Sequence, residues 1–572
     1  AESSLLLHDP EYMVGARFAP VDVTVVASPW NFPLAIPTGG VAAALAAGSA
    51  VILKPAPPAK RCAAELVRAF HDAGIPEDLV VLAPLDDGDV SRHLVTHKGV
   101  DRVVLTGSYD TARLFRSWRP DMHLLGETSG KNAIIVTPSA DPDIAVRDAV
   151  YSAFAHAGQK CSASSLLVLV SSAGTSERIA RQLVDATASL RVRLPLSLDS
   201  QMGPVVVPDD EKAVRGLTTL GVGEHWVLKP RYLGDGLWTP GIRAGVVPGS
   251  EFHLTEYFAP VIGVMRVDTL EEAIEAVNAV DYGLTSGLQT LDAAELAVWL
   301  DSIQAGNIYV NRGITGAIVR RQPFGGWKRS AIGSTTKAGG PSYLLGLGEV
   351  EPARGQGGKV EQGTAALDPR VANLCDAVSS QLDAADLAEL RRALVADAAA
   401  WRTAYGANRD VTGLACERNI LRYRPVDVVV RAGAGTELAD VVRVMAAGVR
   451  AGGFISLSVA DRLLQPLQNA LLAAGVQVTV EDQGAWDIRL AEMAASGGLG
   501  TRVRVIGPRE EASAARWSHA SRVTSGSPDI ALYTGAVTAC PHSELLPFLR
   551  EQAVAITNHR FGTPLDLAEG LL

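Results

Sequence analysis

At 572 residues, 47% of them apolar, the chain is too long for one ordinary core and long enough for about two to four domains. A net charge of −10 with no basic stripe excludes nucleic acid as a partner, and five cysteines without CxxC or Cys/His spacing exclude a disulfide framework and a metal site. The cysteine usage points to a reducing compartment, the cytoplasm, and no run approaches the roughly 20 apolar residues of a membrane anchor.

The chain opens on Ala1 rather than Met, so an upstream portion removed or lying on a longer polypeptide is expected. From Val21 short apolar runs alternate with helical patterns. Strands are expected at Val23 to Ala27, Ala50 to Leu53, Leu79 to Leu82 and Arg102 to Leu105, with helices from about Leu34 and Ala59. This alternation predicts an α/β doubly wound parallel sheet with ligands at the carboxyl ends of its strands. No GxGxxG follows the first strand. Gly107 and Ser108 instead lie between a strand and a helix, where free amides and the positive dipole end suit a pyrophosphate.

Further along, Glu127 stands in Gly-Glu-Thr-Ser-Gly-Lys-Asn and Cys161 in Gly-Gln-Lys-Cys-Ser-Ala. A thiolate can add to a carbonyl and carry the carbon as a thioester, and a carboxylate can activate the water that releases the acid. Of the five cysteines only Cys161 has such neighbours.

A Gly-rich stretch from Pro352 to Thr364 reads as a linker, and an alanine-rich helix is expected from about Ser380 to Tyr405. Then the chain repeats itself. Residues 17–27 match 422–432 at seven of eleven positions, and Arg502 to Gly507 echoes Arg102 to Gly107. A degenerate second copy of the nucleotide-binding fold is expected, with Gly433 to Thr436 where the first copy has Ser28 to Asn31, and Pro508 in place of Ser108. Ala553 to Phe561 reads as an exposed, alternating strand or flap, and His559 as a bland surface residue.

Seven blocks carry a resemblance: Ser28-Pro-Trp-Asn-Phe-Pro33, Lys54-Pro55, Thr106-Gly-Ser108, Glu127 to Asn132, Gly158 to Cys161, Glu256-Tyr-Phe258 and Pro323 to Gly326. In this order they resemble the aldehyde dehydrogenase superfamily over roughly residues 16–350. Cys161-Ser162, Asn311 to Ala317 and Lys337 to Pro341 are most similar to its L-glutamate γ-semialdehyde (1-pyrroline-5-carboxylate) branch.

The resemblance implies NAD-dependent oxidation of that aldehyde to L-glutamate, the second step of proline catabolism, with Cys161 as nucleophile, Glu127 as base for hydrolysis and Asn31 as oxyanion donor. It implies cofactor contacts from Trp30, Lys54, Gly107, Ser108, Glu256 and Phe258. Ser162, Gly316 and Ala317 would anchor the substrate carboxylate, with Phe32 and Phe324 on its methylene chain. Pro57 stands where many members place a side chain that selects between dinucleotides, so NAD over NADP is inherited from the branch. Ala259 replaces the usual Gly of the Glu-x-Phe-Gly-Pro block.

The implied domains are residues 1–130, the C-terminal part of the NAD-binding domain; 131–350, the catalytic domain with the end of an oligomerisation flap; 351–366, a linker; and 367–572, a noncatalytic Rossmann-like domain. Members carry about 150 further residues before the Ser-Pro-Trp-Asn block, so a fragment lacking part of the cofactor domain is expected. An arrangement of this kind resembles the C-terminal half of the bifunctional proline-utilisation family. That implies an upstream proline dehydrogenase domain, which alone would hold FAD, and a homo-oligomer. Two alternatives stay open: an aldehyde dehydrogenase of different aldehyde specificity, and a noncatalytic scaffold fragment.

Overall fold

The computed structural model describes residues 5–353, 367–410 and 412–572. Within it the chain forms two compact units, Ala1–Glu127 with Ala331–Ala407 and Arg422–Glu551, and Thr128–Ser330 with Asn408–Leu421 and Gln552–Leu572.

The first unit holds two parallel sheets. In one, Val23–Ser28 lies between Ala50–Pro55 and Arg102–Thr106, with Val80–Leu82 beyond the former and Leu124–Glu127 beyond the latter. A short antiparallel strand, Ala331–Ile332, closes the edge beside Leu124–Glu127. The central strand, Val-Thr-Val-Val-Ala-Ser, is buried almost throughout, as β-branched residues covered on both faces should be. The second sheet has the same order, with Val428–Ala432 in the centre, Ile455–Val459 and Gln477–Val480 on one side, Thr501–Ile506 and Ile530–Tyr533 on the other, all parallel. The repeat read in the sequence is therefore a repeat of topology.

Around the second sheet, the alanine-rich segment forms the helix Ala384–Ala400, started by Asp383, whose side chain accepts from the Asp386 amide. Its Asp397 meets Arg443 of helix Leu438–Ala451 in a buried two-pronged pair, at 2.7 and 2.9 Å. Burial nevertheless pushes the Asp397 carboxyl up to about 6, against the pull of Arg443.

The second unit is organised on a ten-stranded sheet. Its order is Arg409–Asp410, Glu417–Pro425, Leu549–Thr557, Asn307–Val310, Thr285–Gln289, Asn132–Val136, Ser164–Val170, Val261–Val267, Gly241–Ala244 and His225–Leu228. One face packs on a core containing Trp299, Phe252, Met265 and Leu296.

The expectation of an exposed strand near the C-terminus is corrected here. Leu549–Thr557 is buried over most of its length and runs parallel to Asn307–Val310 in the sheet. Ala553, Val554, Ala555 and Ile556 form an uninterrupted apolar run, the pattern of a strand covered on both faces, and the polar residues that suggested exposure, Asn558 to Arg560, lie beyond the strand. The domains expected from the sequence follow one another along the chain, whereas the compact units interleave, because 408–421 and 552–572 pack with Thr128–Ser330. Of the expected linker, 354–366 lies outside the described residues, and its start belongs to the strand Gly348–Pro352, paired with Ala16–Pro20.

Replacing Arg443 by Met should cost about 3–5 kcal/mol in chemical denaturation, because Asp397 is left buried without its guanidinium. Adding Asp397→Leu should recover much of that loss. A double variant no more stable than the single one would contradict this account.

Candidate active site

Cys161 lies between helix Pro142–Phe154 and strand Ser164–Val170. The helix is begun by Asp141, whose carboxylate accepts from the amides of Asp143 and Ile144. After Phe154 the backbone doubles back through three successive left-handed residues, His156, Ala157 and Gly158, at φ 61°, 54° and 69°. A methyl at Gly158 would sit 2.3 Å from the Ala259 carbonyl oxygen, so glycine is required twice over, by conformation and by space. Gln159, buried, fastens the turn by donating to the carbonyls of His156 and Pro204 and accepting from the Val206 amide.

The thiol-bearing residue is held by its backbone. Asn132 Nδ2 donates to the carbonyls of Cys161 and Ala163, at 2.7 and 3.0 Å, while its Oδ1 accepts from the Thr285 amide at 3.0 Å. Gly130 packs so closely that a Cβ would lie 2.5 Å from the Cys161 carbonyl oxygen. Cys161 itself is only partly buried, whereas Ser162 is buried, its carbonyl accepting from Thr285 Oγ1 at 3.4 Å. Burial lowers the pKa of neighbouring Lys160, and the Cys161 sulfur acts against that shift. The result is a partly buried cysteine on a backbone that is held from two sides.

Glu256 and Phe258 border one cleft together with Lys160, Ala163 and Ser164, residues on either side of Cys161. Glu256 Oε1 accepts the Gly130 amide at 3.0 Å, and burial raises the Glu256 carboxyl in spite of that bond. Phe258 has φ 55°, an uncommon conformation for an aromatic residue.

Gly316 and Ala317 lie on a loop held at both ends. Asn311 exchanges hydrogen bonds with the Thr290 backbone, the Ile314 amide donates to Ser152 Oγ, and the Ile318 amide donates to Gln322 Oε1. Glu417 receives Arg312 at 2.6 Å and Gln322 Nε2 at 3.0 Å, and Gln322 also donates to Asn419. Gly316 is exposed at φ 79° with open space where a Cβ would be, so conformation alone calls for glycine. Phe324 is partly exposed, next to Gly325, whose amide donates to Asn307.

In the first unit the expected cofactor residues gather at the carboxyl ends of the parallel strands. Trp30, Asn31 and Phe32 follow Val23–Ser28, with Asn31 buried and the two aromatic residues partly exposed. Lys54, also buried, closes Ala50–Pro55, its Nζ 3.5 Å from the exposed Asp87. Gly107 donates its amide to the Glu127 carbonyl, and Ser108 starts helix Tyr109–Trp118 by accepting from the Thr111 amide. Two of these groups suit a dinucleotide: a cation at one strand end and a helix N-terminus at another. Glu127 ends its strand opposite Ala331.

Sequence reasoning gave no role to two lysines inside its own motifs, Lys131 and Lys337. Lys337 is buried, and burial lowers its ammonium to about 8 against the opposing influence of Glu127 and Glu551. Glu551 accepts the Lys337 amide at 2.7 Å. Lys131, beside Gly130, is buried as well.

The family model described as "Aldehyde dehydrogenase family" matches residues 4–347. The chain is 34% identical to the bifunctional protein PutA of Rhizobium meliloti over 82% of its own length and 38% of that protein's. It is 34% identical to 1-pyrroline-5-carboxylate dehydrogenase of Bacillus subtilis over 58% of its length and 65% of the other. Among solved structures, proline utilization A from Corynebacterium freiburgense superposes with a TM-score of 0.82 at 42% identity, covering 98% of this chain and 52% of that one. A Thermus 1-pyrroline-5-carboxylate dehydrogenase with bound NAD gives 0.56 at 32% identity, covering 61% and 70%. The chain thus spans from about two fifths to two thirds of the curated relatives it matches.

Two outcomes follow from this geometry. Gly130→Ala should displace the Cys161 carbonyl and slow alkylation of that thiol by iodoacetamide at least about tenfold, at a stability cost of about 1–3 kcal/mol; unchanged alkylation would mean that the backbone is not held as described. Because folding lowers the Lys337 pKa from 10.5 to about 8, the unfolded chain binds more protons between those values, and stability is lost as pH falls from 10.5 through 8. The stability of Lys337→Met relative to the wild type should therefore decline steadily as pH is raised from 8 to 10 in thermal melts.

Proposed function

Since the chain belongs to the aldehyde dehydrogenase family, we propose that it oxidises L-glutamate γ-semialdehyde to L-glutamate with NAD. The observation that carries this reading is the partly exposed Cys161 on a backbone pinned by Asn132 and Gly130.

In this reading Cys161 Sγ, as thiolate, bonds to the aldehyde carbon and forms a thiohemiacetal. The side-chain amide of Asn31 and the backbone amide of Cys161 donate to the oxyanion, where one such donor is worth about 10²–10³ in rate. The cofactor's chemistry is to accept the hydride that leaves this carbon. Glu127 takes a proton from water, whose oxygen attacks the resulting thioester, and the C–S bond breaks to release the acid and restore the thiolate. Lys54, Gly107, Ser108 and Trp30 would hold the dinucleotide, Glu256 its ribose hydroxyls and Phe258 its nicotinamide. Ser162, Gly316 and Ala317 would receive the substrate's α-carboxylate, with Phe32 and Phe324 along its methylenes. The braced ends of the 311–322 loop support that assignment, because an anion is recognised best by donors already in place.

The second parallel sheet is assigned no catalysis. Arg509, near the site where Ser108 stands in the first copy, pairs with Asp386 and Asp440, and its amide donates to Glu437. A self-paired arginine and carboxylates at the helix N-terminus leave a poor seat for phosphate. The likeness to bifunctional relatives supports an upstream proline dehydrogenase domain; FAD on that domain, a cytoplasmic setting and assembly into a homo-oligomer belong to the same proposal. Among the described residues no helix is long and apolar enough to cross a membrane.

The test is NADH formation from glutamate semialdehyde and NAD, with succinate semialdehyde as the competing substrate. Cys161→Ala should abolish it, and Glu127→Gln should give one rapid equivalent of NADH followed by slow turnover. Preference for succinate semialdehyde would overturn the substrate assignment, and full activity in Cys161→Ala would overturn the mechanism.

A further inference from the structure

Lys131 is 3% exposed, and its Nζ finds no hydrogen-bond acceptor among the described residues. The ammonium rests on aromatic faces, 4.1 Å from the centre of the Phe252 ring and 5.8 Å from that of Tyr257. Phe252 carries a second cation, Arg243, also at 4.1 Å, but two of that guanidinium's nitrogens have acceptors, Glu224 at 2.8 Å and the Gly216 carbonyl. A buried ammonium without acceptors is costly, and an apolar side chain of the same length would fill the volume at less expense.

The neighbours of Lys131 in the chain show what the expense achieves. On one side the Gly130 amide holds Glu256 at 3.0 Å; on the other, the Asn132 side chain holds the carbonyls of Cys161 and Ala163. One short turn therefore reaches both the carboxylate of the cleft and the backbone that carries the thiol. Glu256 is also the foremost opposite charge acting on Lys131, followed by the like charges of Arg243 and Lys212 and by Glu224, whereas the Gly130 amide, Lys212 and Ser129 all act on the Glu256 carboxyl ahead of Lys131. The other titratable neighbours are His253, which burial and Lys131 together keep below its usual range, and Tyr257, raised to about 12.

Resting on the assignment of Glu256 to the cofactor ribose, we propose that Lys131 is a positioning residue: its ammonium, seated on Phe252, fixes the turn from which the Gly130 amide holds Glu256 in place for the dinucleotide and the Asn132 side chain keeps Cys161 in register. Burial brings the Lys131 ammonium down to about 7, so the hold of that cation on the Phe252 face, and with it the fixing of the turn, fades as pH rises through that value. Dinucleotide affinity should weaken over the same interval.

The experiment compares wild type, Lys131→Met and Lys131→Arg in NADH binding by fluorescence and in KM for NAD and kcat from pH 6 to 8.5, with thermal melts alongside. The wild-type KM for NAD should rise with pH. Lys131→Met should melt no lower than wild type, yet show a KM about five- to tenfold higher than wild type at pH 6, flat with pH, and kcat changed less than KM. Lys131→Arg, charged throughout, should keep the low KM and lose the pH dependence. A merely structural lysine would give the opposite split, a lower melting temperature with an unchanged KM profile, and that result overturns the proposal. Should Lys131→Met fail to fold, a Lys131→Arg profile that still follows the wild type overturns it equally. Wild-type protein that binds no NADH would instead defeat the assignment of the cleft to cofactor, and the proposal with it.

Discussion

The side chain of Asn132 is the contact on which the thiol side of the site depends. A single carboxamide at the start of a central strand ties two carbonyls of the Cys161 turn to the amide of the neighbouring strand, Thr285–Gln289. A neutral amide is suited to this, since it donates and accepts at once and brings no charge that would compete with a thiolate. Around it, Gly130 and Gly158 allow backbone to approach backbone more closely than any side chain would permit. The strain of three left-handed residues before the cysteine is sustained because these bonds over-determine the turn.

Much of the fold was legible because parallel strands announce themselves. Apolar runs rich in valine, separated by helical patterns, located every strand from Val23 to Leu105, and the match between residues 17–27 and 422–432 foretold two sheets of one order. The last strand was misread because the segment taken, Ala553 to Phe561, joins the solidly apolar end of the strand to the polar residues Asn558 to Arg560 beyond it. The interleaving of the units was beyond reach, since nothing in local composition says that 408–421 and 552–572 pack with residues some hundreds of positions earlier.

The chemistry of the candidate site could be argued in the sequence, but its supports could not. Cys161 and Glu127 stand in motifs whose chemistry follows from side-chain type, whereas Glu256 was assigned through the family resemblance. Asn132, Thr285, Gln322 and Glu417 act through hydrogen bonds between segments distant in the chain, and a sequence carries no local mark of such bonds. Lys131 and Lys337 were passed over for a different reason. Lysine is so commonly a surface residue that its burial is visible only in three dimensions.

The place of Leu549–Thr557 inside the ten-stranded sheet also bears on how the molecule comes to be folded. Its parallel partner, Asn307–Val310, is made more than two hundred residues earlier, and the strand on its other side, Glu417–Pro425, more than one hundred earlier. During synthesis Asn307–Val310 must therefore wait with an unpaired edge until the chain has been extended past residue 557, an interval of tens of seconds at about 5–20 residues per second. Closing a loop of that length before any contact rewards it makes this pairing a slow, late step. Over that interval the nascent chain presents an apolar sheet edge to whatever is nearby, which makes it a natural client for chaperones.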